Sequence, residues 1–571
     1  YMVTIDRKHD PAKNAEWISR LTGESLNIFE LVQETNELFK EASEDYKPLS
    51  VKNNTSISSF FSNLSAGFRR IIQTKSAFDH AKKFDTVVDK NGNVFPQWLE
   101  VLNEEYKNLL KEINREVHIE DFGALGDGKT DCTDAFKMAL GKGRVKVHIP
   151  EGVFLVKEIR LPSFTYLLGA GKGKTIIKLH DSAPKSRRLM TNKHHRTGNR
   201  NVYVKGMTLD WNVERLGSVE KTSTWGNHSS CLLYANVKYG WVKDVEAINP
   251  GLHCFDISSP LYNYYGDGYR ARGGSEFIWL DNLNGHGFGD DGITTHHSDN
   301  IFISNCHMCD PSGKTHKEGF SNSNGIEIDD GSRNVWLLNN SSARCFGGVE
   351  IKAHHNSSAA SNVVIIGHLS VNDNRSYNFR HIGHHKENDP ESKTAINILA
   401  ANIISYKPVH TDLYANSSPR AMVVSAYKNV AVNHFTVIGD PSYDYGGEPA
   451  IALQYRSRNV ILKNVKISGF TSAESDIKVF GGSNHADHIK IRNMISRHSA
   501  PKAIHIGKGV EKAAIEKVYA EAVNGQAVVE LAENKAFLND IDSNGFKQVL
   551  LKHSTENQTT ENQTTENQTT V

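Results

Sequence analysis

Asn300-Ile-Phe-Ile-Ser-Asn305 is one copy of a short pattern that recurs along most of the chain. Other copies are Asn334-Val-Trp-Leu-Leu-Asn339, Asn362-Val-Val-Ile-Ile366, Asn429-Val-Ala-Val-Asn433, Asn459-Val-Ile-Leu-Lys-Asn464 and His488-Ile-Lys-Ile-Arg-Asn493. The intervals 300 to 334, 334 to 362, 429 to 459 and 459 to 488 are 34, 28, 30 and 29 residues. A single strand-like run in each period of about 20 to 50 residues predicts a solenoid.

Each copy alternates apolar and polar residues and is rich in Val and Ile, as β-strands are. Gly, Asn, Ser and Asp fill the segments between copies, where helical stretches would otherwise be expected. Helical repeats and propellers fit this pattern poorly. We therefore predict a mainly β protein in which residues 117–540 form a parallel β-helix.

The composition is that of an ordinary globular protein, and 571 residues are too many for one ordinary core. The 66 Lys and Arg residues against 65 Asp and Glu leave a net charge of +1, which points to neither a nucleic-acid nor a membrane partner. The first residues lack the apolar core of a signal peptide, and no apolar run is long enough to cross a membrane. We expect a soluble protein made in the cytoplasm without a signal peptide.

The N-terminal region has a different pattern. Residues 1–96 form a helical region, with helical spacing of apolar residues between 12 and 44. Between 97 and 116, apolar residues follow the a/d spacing of a coiled coil at Leu99, Leu102, Tyr106, Leu109 and Ile113. We predict a short oligomeric coiled-coil neck, although the chain can also bury this stripe on itself. At the other end, 541–571 is a polar, low-complexity tail.

Six cysteines in this length are too few for a disulfide framework. Cys306-His-Met-Cys309 has the spacing of half a zinc site, but no second Cys pair follows at the expected distance. Buried thiols on strands are the alternative that we prefer, and no metal is assigned.

Two motifs resemble a known superfamily. Glu120-Asp-Phe-Gly-Ala-Leu-Gly-Asp-Gly-Lys-Thr-Asp-Cys-Thr-Asp-Ala-Phe-Lys-Met-Ala-Leu140 resembles the opening segment of pectate-lyase-like β-helices. Gly285-His-Gly-Phe-Gly-Asp-Asp-Gly-Ile293 is similar to the G-D-D element of polygalacturonases. The resemblance implies a right-handed β-helix whose N-terminal end is closed by a strand, a turn and a capping helix. It does not by itself imply one function.

The combination of a helical N-terminus, a β-helix and a polar tail resembles tailspike or preneck-appendage proteins of short-tailed phages of Gram-positive bacteria. Gly289-Asp-Asp-Gly-Ile-Thr-Thr-His296 and Asn324-Gly-Ile-Glu-Ile-Asp-Asp-Gly331 look like the central coils of that group. The resemblance implies a homotrimer located in the virion as a tail appendage and made in the host cytoplasm. It also implies attachment to phage tail or collar proteins through the N-terminal region, and binding to host teichoic acid or surface polysaccharide.

A ladder of ionisable residues follows from aligning the repeats. We align Phe255-Asp-Ile257, Ile293-Thr-Thr295, Ile326-Glu-Ile328, Val349-Glu-Ile351 and Phe379-Arg-His381 as one strand column. With the apolar residues inward, the outward ladder is Asp256, Thr294, Glu327, Glu350 and Arg380, and the next is Ser258, His296, Asp329 and Lys352. Strands of successive coils lie about 4.8 Å apart, so Glu327 and Glu350 are expected to be neighbours.

Stacked carboxylates suit acid and base catalysis, because two that are close repel and the pKa of one rises. A separation near 5 Å is typical of a retaining glycosidase. We predict an acid/base set of Glu327, Asp329, Glu350, Asp291 and Asp290. The predicted substrate-binding residues are His296, Lys352, Arg380, His381, Asp256 and His384.

Other interpretations stay open. The charges can form a solvated, mutually neutralising surface, and Asp290-Asp-Gly292 and Asp329-Asp-Gly331 can be turns. A carboxylate-rich groove can also bind Ca²⁺. Aromatic residues that can stack on sugar rings or pack in the core are Trp225, Trp279, Tyr262, Tyr264, Tyr265 and Tyr269.

Our first functional hypothesis is a phage depolymerase that hydrolyses a surface glycopolymer, and the substrate that we expect is wall teichoic acid. The second is an adhesin that binds the polymer without cleaving it, and the third is a polysaccharide lyase or polygalacturonase-like enzyme. The density of carboxylates without matching cations favours catalysis, since such charges weaken simple binding of an anionic polymer. Neither nucleic acid nor membrane insertion is expected.

Overall fold

The two Asn residues of the recurring pattern form corners of each coil. Asn300 and Asn305 have φ angles of 56° and 51°, and Asn334 and Asn339 have 57° and 50°. Asn tolerates this left-handed conformation better than most residues other than Gly, because its short side chain forms local hydrogen bonds. The four residues between the corners lie on one strand. The same spacing of five residues between left-handed corners recurs at Asn459 and Asn464.

The computed structural model describes residues 3–44, 74–76, 85–385, 391–533 and 535–553. The helices are α1 (Asn14–Thr22), α2 (Ile28–Ser43), α3 (Leu99–Glu112) and α4 (Thr133–Leu140), with single 3₁₀ turns at Pro11–Lys13, Ile119–Phe122, Val213–Leu216 and Ile382–His384. None of these helices is long and apolar enough to cross a membrane.

The strands up to the middle of the chain are β1 (Thr74–Ser76), β2 (Thr86–Val88), β3 (Val94–Pro96), β4 (Arg115–His118), β5 (Asp127–Asp131), β6 (Val145–Ile149), β7 (Gly152–Val156), β8 (Ile159–Leu161), β9 (Thr165–Gly169), β10 (Thr175–Leu179), β11 (Met190–Asn192), β12 (Asn199–Asp210), β13 (Leu232–Ala235), β14 (Val237–Ile248), β15 (Phe255–Ser258), β16 (Tyr269–Ala271), β17 (Glu276–Asp281) and β18 (Asn284–His286).

The remaining strands are β19 (Ile293–Thr295), β20 (Asp299–Ser304), β21 (His307–Cys309), β22 (Asn324–Ile328), β23 (Arg333–Ala343), β24 (Gly347–Ala353), β25 (Ser361–Val371), β26 (Arg375–His381), β27 (Ile396–Tyr406), β28 (Arg420–Ser425), β29 (Lys428–Ile438), β30 (Ile451–Gln454), β31 (Arg458–Ser468), β32 (Ile477–Val479), β33 (Asp487–Arg497), β34 (Lys502–Ile506), β35 (Ala513–Ala532) and β36 (Phe537–His553).

The predicted parallel β-helix is confirmed. Apart from β16, which pairs antiparallel with β1, the strands from β4 to β36 pair in parallel with the strands of the next coil. Strands β15, β19, β22, β24 and β26 follow one another in one column. Inward residues of all columns form one apolar core that includes Val335, Leu337 and Ile351. Because each coil stacks directly on the next one, this core is continuous along the solenoid.

Asparagine side chains also link the coils. Asn334 donates to Asn300 (3.3 Å), Asn362 to Asn334 (3.1 Å), Asn397 to Asn362 (2.8 Å), Asn429 to Asn397 (3.0 Å) and Asn459 to Asn429 (3.2 Å). Each amide both donates and accepts along this ladder. The corners therefore keep their polar groups satisfied where the coils stack.

The opening segment has the predicted form. Strand β5 is followed by α4, whose Phe136 is buried. The rings of Phe136 and Phe154 meet edge to face, with 6.5 Å between their centroids. Phe136, Ala139 and Leu140 join the core of the first coils. The helix thus covers the apolar N-terminal end of the solenoid.

The predicted coiled-coil neck at 97–116 is wrong. Leu99, Leu102 and Leu109 of α3 are buried against an outward aromatic row of the β-helix that includes Tyr203 and Trp241. These aromatic residues occupy the outward position of the strand pattern, where a polar residue is usual. The apolar stripe of α3 is therefore buried within one chain, which is the alternative to a coiled coil given above.

The ends also differ in detail from the predicted boundaries. The helical stretch at 12–44 is broken at Gly23, which has a φ of 65° and ends α1. Strand β4 begins the β-helix at Arg115, and β36 continues to His553 instead of ending at 540. Residues 45–73, 77–84 and 554–571, which include part of the helical region and most of the predicted tail, lie outside the described residues.

All six cysteines are free thiols in buried positions, as preferred from the sequence. Cys306 packs in the main core, whereas Cys309 packs with Val3 and Ile5 of the N-terminal segment. Their side chains therefore belong to two different apolar clusters.

Candidate active site

The first predicted ladder exists, with one error of register. Asp256 is opposite Thr294, Thr294 opposite Glu327, and Glu327 opposite Glu350 on β15, β19, β22 and β24. The next partner of Glu350 is Asn378, and Arg380 is opposite Lys352 instead. A shift of two residues preserves the alternation of inward and outward side chains, so the sequence pattern could not exclude it.

The ladder is buried instead of solvated. Asp256 and Glu350 are fully buried, and Glu327 is 3% exposed. Aromatic residues of the loop after β15 pack over neighbouring histidines, with 5.7 Å between the rings of Tyr262 and His296. This overturns the reading of the patch as an open charged surface, and burial makes every charge in it act more strongly on its neighbours.

Cations neutralise part of the carboxylate set, contrary to the sequence expectation. Lys352 Nζ lies 2.6 Å from Glu327 Oε2 and 3.7 Å from Asp329 Oδ2. Arg380 Nε donates to Glu350 Oε1 at 2.5 Å. Lys352 and Arg380 therefore lie at the predicted patch, but their charges are already engaged with carboxylates of the same chain.

Asp290 and Asp291 form the more accessible end of the cluster. His316 Nε2 is 2.8 Å from Asp290 Oδ1, and the side chains of His316 and Asp290 are 34% and 18% exposed. His253 Nε2 lies 3.5 Å from Asp290 Oδ2 and 3.6 Å from Asp291 Oδ2. A ligand can reach this end more readily than the fully buried Glu350.

Asp291 is joined to Glu327 through one amide. The backbone N–H and the Nδ2 group of Asn324 donate to Asp291 Oδ1 at 2.9 and 3.0 Å, and Nδ2 also donates to Glu327 Oε2 at 3.1 Å. His253 is fixed in turn by Asp256, with 3.1 Å between Nδ1 and Oδ2. The two ends of the cluster are thus held in one hydrogen-bonded unit.

The neighbouring carboxyls Asp290 and Asp291 have opposite pKa shifts. Burial raises the pKa of Asp291 well above its usual range, and the nearby charges of Asp290 and Glu327 raise it further. Burial alone would raise the pKa of Asp290 too, but His316 and His253 hold it well below its usual range. A carboxyl that holds its proton more tightly and one that loses its proton more readily therefore lie side by side.

A second contrast follows along the ladder. Burial, together with Asp329, raises the pKa of Glu327 despite the opposing charge of Lys352. Although burial also acts to raise the pKa of Asp329, Lys352, His354 and His296 hold it well below its usual range. His296 Nε2 is 3.3 Å from Asp329 Oδ2. The pKa values of Glu327 and Asp329 are therefore shifted in opposite directions, as are those of Asp291 and Asp290.

Several buried polar atoms at this patch have no hydrogen-bond partner among the described residues. They are Asp329 Oδ1, Glu350 Oε2, His296 Nδ1 and Asn324 Oδ1. Buried polar groups in native proteins are almost always paired, so such a concentration calls for an external partner. Hydroxyl or charged groups of a ligand would satisfy these atoms.

Three comparisons place this geometry among known proteins. Residues 116–350 match the family model described as Rhamnogalacturonase A/epimerase, pectate lyase-like. The chain is 50% identical over 81% of its length to "Putative phage-related protein YobO" of Bacillus subtilis (strain 168), covering 57% of that protein. It is 42% identical over 70% of its length to the "Pre-neck appendage protein" of Bacillus phage phi29, covering 46% of it.

The crystal structure of the N-terminal fragment of phi29 gene product 12 superposes with a TM-score of 0.72 at 38% identity, over 79% of this chain and 74% of that chain. The chain belongs to the phage preneck appendage family. It spans about half the length of the curated relatives that it matches.

In this member of the preneck appendage family, two predicted substrate-binding histidines contact loop residues. His381 Nε2 lies 3.0 Å from Ser357 O, and its Nδ1 accepts from the Gly383 N–H at 3.2 Å. His384 Nε2 lies 3.4 Å from Asp267, a carboxylate that also accepts from the Lys393 N–H. His381 is opposite Ala353, whose side chain points into the core of the β-helix. The His381 ring therefore lies on the other side of the strand from the carboxylate ladder.

The turn residue Asp330 carries more than its predicted role. It accepts from the backbone N–H of His354 at 2.9 Å and lies 3.0 Å from its ring Nδ1. The charges of Asp330 and Asp329 raise the pKa of His354 to about 9. Asp330 therefore anchors a charged histidine at the rim, where Tyr264 packs 6.1 Å from that ring.

Of the predicted sugar-stacking aromatics, Trp279 lies elsewhere. It packs beside Phe302 in the aromatic row under α3, with Lys243 Nζ 3.2 Å from its ring centroid. Tyr262 and Tyr264 are stacked above the carboxylate cluster, and Trp225 is 83% exposed. Trp225 and Tyr264 are exposed and therefore accessible to sugar rings, whereas Tyr262 is half-buried.

Within the part of the chain that the structure describes, four groups of side chains each bring three possible metal ligands within 4.8 Å of one another: His253, Asp290 and Asp291; His296, Glu327 and Asp329; Asp329, Asp330 and His354; and Asp267, His381 and His384. Ca²⁺ prefers six to eight oxygen ligands, about three times what any group offers. Each group includes imidazole nitrogen, and Lys352 already occupies the second. The residues therefore fit Ca²⁺ poorly.

Sequence reasoning missed His253, His316 and Asn324. His253, Asp291 and Asn324 stand two residues before the apolar residues Phe255, Ile293 and Ile326, so extending the alignment upstream would have found them. In a regular strand His253, Asp291 and Asn324 would point into the core. The alternation of side chains breaks at this corner of the coil, so these three residues point toward the site instead. His316 lies on a long loop, and no repeat pattern marks it.

Proposed function

We propose that this protein is a phage appendage that binds and hydrolyses an anionic glycopolymer of the host cell surface, with wall teichoic acid as the substrate class. The observation that carries the proposal is the contact of His316 and His253 with Asp290, beside the buried Asp291, which shifts the pKa values of the two adjacent carboxyls in opposite directions. Such a pair performs general acid and base catalysis near neutral pH.

In the proposed reaction, Asp291 gives its proton to the leaving oxygen as the bond to that oxygen breaks. A water molecule attacks the same centre, and ionised Asp290 accepts the proton that the water loses. His253 contacts both carboxyls, so it provides a route for returning the proton to Asp291. Water is added across the bond and no other reactant is consumed.

Glu327, Asp329 and Lys352 bind the substrate in this scheme. The unpaired Oδ1 of Asp329 accepts from polymer hydroxyls, and Lys352 balances the charges of Glu327 and Asp329 beside it. Glu350 is bound to Arg380 and is fully buried, so its proposed role is to position Arg380 and the strand. This changes the first choice of acid/base pair from Glu327 and Glu350 to Asp291 and Asp290.

The decisive experiment incubates purified Gram-positive teichoic acids with the protein and measures low-mass products by mass spectrometry. We expect products from the wild type, and a turnover rate lower by roughly 10²-fold or more for Asp291→Asn, the usual scale for a general acid. Asp134→Asn, an exposed carboxylate change in α4, should leave turnover unchanged. Equal turnover for Asp291→Asn and the wild type would reject the acid assignment.

A non-catalytic adhesin is the second candidate. It is favoured by the ion pairs of Glu327 and Glu350, because a binding surface for an anionic polymer benefits from neutralised carboxylates. Saturable binding of teichoic acid without any products after prolonged incubation would support this candidate over hydrolysis.

We also propose a homotrimer that attaches to phage tail or collar proteins through its N-terminal region. Support comes from the preneck appendage relatives and from exposed apolar residues near the C-terminal end of the solenoid: Val523, Phe537 and Val549. Such residues favour contact with other copies of the chain. Light scattering that gives a monomer at micromolar concentration would contradict the trimer.

A further inference from the structure

We propose that Arg160, Arg188 and His195, beside the exposed ring of Trp225, form a separate anion-binding subsite in the same groove as the carboxylate cluster. It would hold one phosphate or carboxylate group of an anionic polymer, while another unit of that polymer occupies the cluster. The inference rests on the proposed function for its polymer class, but it concerns binding and does not require cleavage.

The subsite lies on the strand column of the cluster. Arg160 on β8 is opposite Thr191 on β11, Thr191 is opposite Leu233 on β13, and Leu233 is opposite Asp256 on β15. Three steps of about 4.8 Å separate Arg160 from Asp256, a distance of about 14 Å along the solenoid. A polymer chain of a few units spans this distance.

Arg188 is held in place while part of its guanidinium stays available. Its Nε and Nη2 donate to the backbone and side-chain oxygens of Asn227, both at 3.1 Å. Among the described residues, no carboxylate forms an ion pair with Arg188. A guanidinium has five N–H donors, so this anchoring leaves further donors for an anion.

The surroundings of Arg188 carry an excess of positive charge. Arg160 and Arg187 share one carboxylate, Glu158, at 2.5 and 3.6 Å. His195 lies 2.8 Å from the Thr191 hydroxyl, and burial together with Arg188 lowers its pKa to about 4. An anion would relieve this repulsion, whereas a neutral sugar would not.

The subsite is within electrostatic range of the cluster. Burial lowers the pKa of Arg188, and the charges of Glu158 and Asp256 act in the opposite direction. Trp225 lies two residues before the Asn227 that anchors Arg188, with 83% of its surface exposed. A sugar ring can stack on this indole while its charged substituent reaches Arg188.

The test measures binding by calorimetry with the full chain and two probes: poly(glycerol phosphate) teichoic acid fragments and oligogalacturonate. We expect Arg188→Gln to raise the Kd of the preferred probe by about tenfold to a hundredfold, as loss of a charge-assisted contact does. Lys142→Gln removes the same charge from an exposed loop and is the control. We expect it to change the Kd by less than about twofold.

Arg160→Gln guards against a folding defect, since Arg160 is half-exposed and its partner Glu158 keeps a second cation, Arg187, at 3.6 Å. We expect a Kd about fivefold higher or more with unchanged thermal stability. A loss confined to the teichoic acid probe identifies phosphate as the ligand group, and a loss confined to oligogalacturonate identifies a carboxylate. Unchanged Kd values for both probes in both variants would overturn the subsite.

Binding in the Asp291→Asn background separates this inference from the proposed hydrolysis. If the subsite is correct, Arg188→Gln weakens binding there as it does in the wild type. A protein that binds through Arg188 but yields no products would reject hydrolysis and retain the subsite. A protein that cleaves normally with Arg188→Gln and Arg160→Gln at unchanged Kd would retain hydrolysis and reject the subsite.

Discussion

At the residue scale, histidines determine which carboxyl of the candidate site is ionised. Asp290 and Asp291 are adjacent in sequence and both are buried, yet only Asp290 has His316 at 2.8 Å. Each carboxyl would be raised in pKa by burial alone, so the difference comes from the imidazolium partners. The sequence motif Asp-Asp-Gly therefore contains two groups with different chemistry.

The role of His316 predicts a change in pH dependence. Its charge favours ionised Asp290, so His316→Gln should raise the pKa of Asp290 and leave this base protonated at higher pH. We expect the acidic limb of the kcat/KM profile to move up by about one pH unit, the usual effect of one close charge. The measurement is the rate of product release across pH.

The basic limb of the same profile provides the internal comparison. It reports loss of the proton from Asp291, whose raised pKa depends first on burial. Activity that needs this proton is complete below the raised pKa and falls as pH rises through it. His118→Gln, an exposed change on β4, should move neither limb. A shift of the acidic limb to lower pH in His316→Gln would contradict the assignment.

At the scale of single elements, the Asn corners stabilise the stacking of coils. Asn362 has a φ of 55°, donates to Asn334 and accepts from Asn397. Removing the amide leaves two partners unpaired, and Ala is disfavoured in the left-handed conformation. The corner thus depends on both the hydrogen bonds and the backbone conformation of this residue.

We expect Asn362→Ala to lower the free energy of unfolding by about 1 to 3 kcal/mol. Asn362→Gly should cost less, because Gly accepts the positive φ and loses only the amide contacts. Denaturant unfolding followed by circular dichroism measures both. If Gly proved as costly as Ala, the backbone conformation would have no part in the effect.

The helix α3 is the element whose partner changed most between sequence and structure. Leu102 is fully buried, and the cluster around it includes Trp241 and Trp336 of the β-helix. Its stripe therefore contributes to the stability of one chain. In a coiled coil, the same leucines would have contributed to association between chains.

Leu102→Ala should lower the stability of the chain by about 2 to 5 kcal/mol, as for other buried leucines. Tryptophan fluorescence during denaturation reports the change, because Trp241 and Trp336 line the contact. Val101→Ala, at a neighbouring position that is 40% exposed, is the matched control. A change in oligomeric mass without loss of stability in Leu102→Ala would instead favour the coiled coil.

At the scale of the whole molecule, the N-terminal helices form a layer along the β-helix. Glu41 of α2 accepts from Lys490 at 2.6 Å and from Arg492 at 2.6 Å, and both donors lie on β33. Further along, α3 covers the aromatic row. The region predicted as a separate attachment domain is therefore also a cover for the solenoid.

Deleting residues 1–114 should keep the β-structure, because coils of a solenoid stabilise their neighbours. It should also expose the aromatic row that includes Tyr203 and Trp241, so we expect dye binding and aggregation. Circular dichroism and 8-anilinonaphthalene-1-sulfonate fluorescence measure the two effects. A truncated protein that stays soluble and binds no dye would show that this row needs no cover.

The sequence by itself determined the coil and the column of site residues. The repeat period, the Asn corners and the alternation of side chains are local properties, so they can be read without knowing what lies beside each strand. They predicted the parallel β-helix and placed Glu327 opposite Glu350, as the structure confirms.

Tertiary structure alone decided the register of β26, the burial of the ladder and the partner of α3. A register shift of two residues leaves the alternation unchanged, and loops of irregular length bring Tyr262 and His316 over the site. Which carboxyl keeps its proton depends on these through-space neighbours, because burial and charge act over distance and not along the chain.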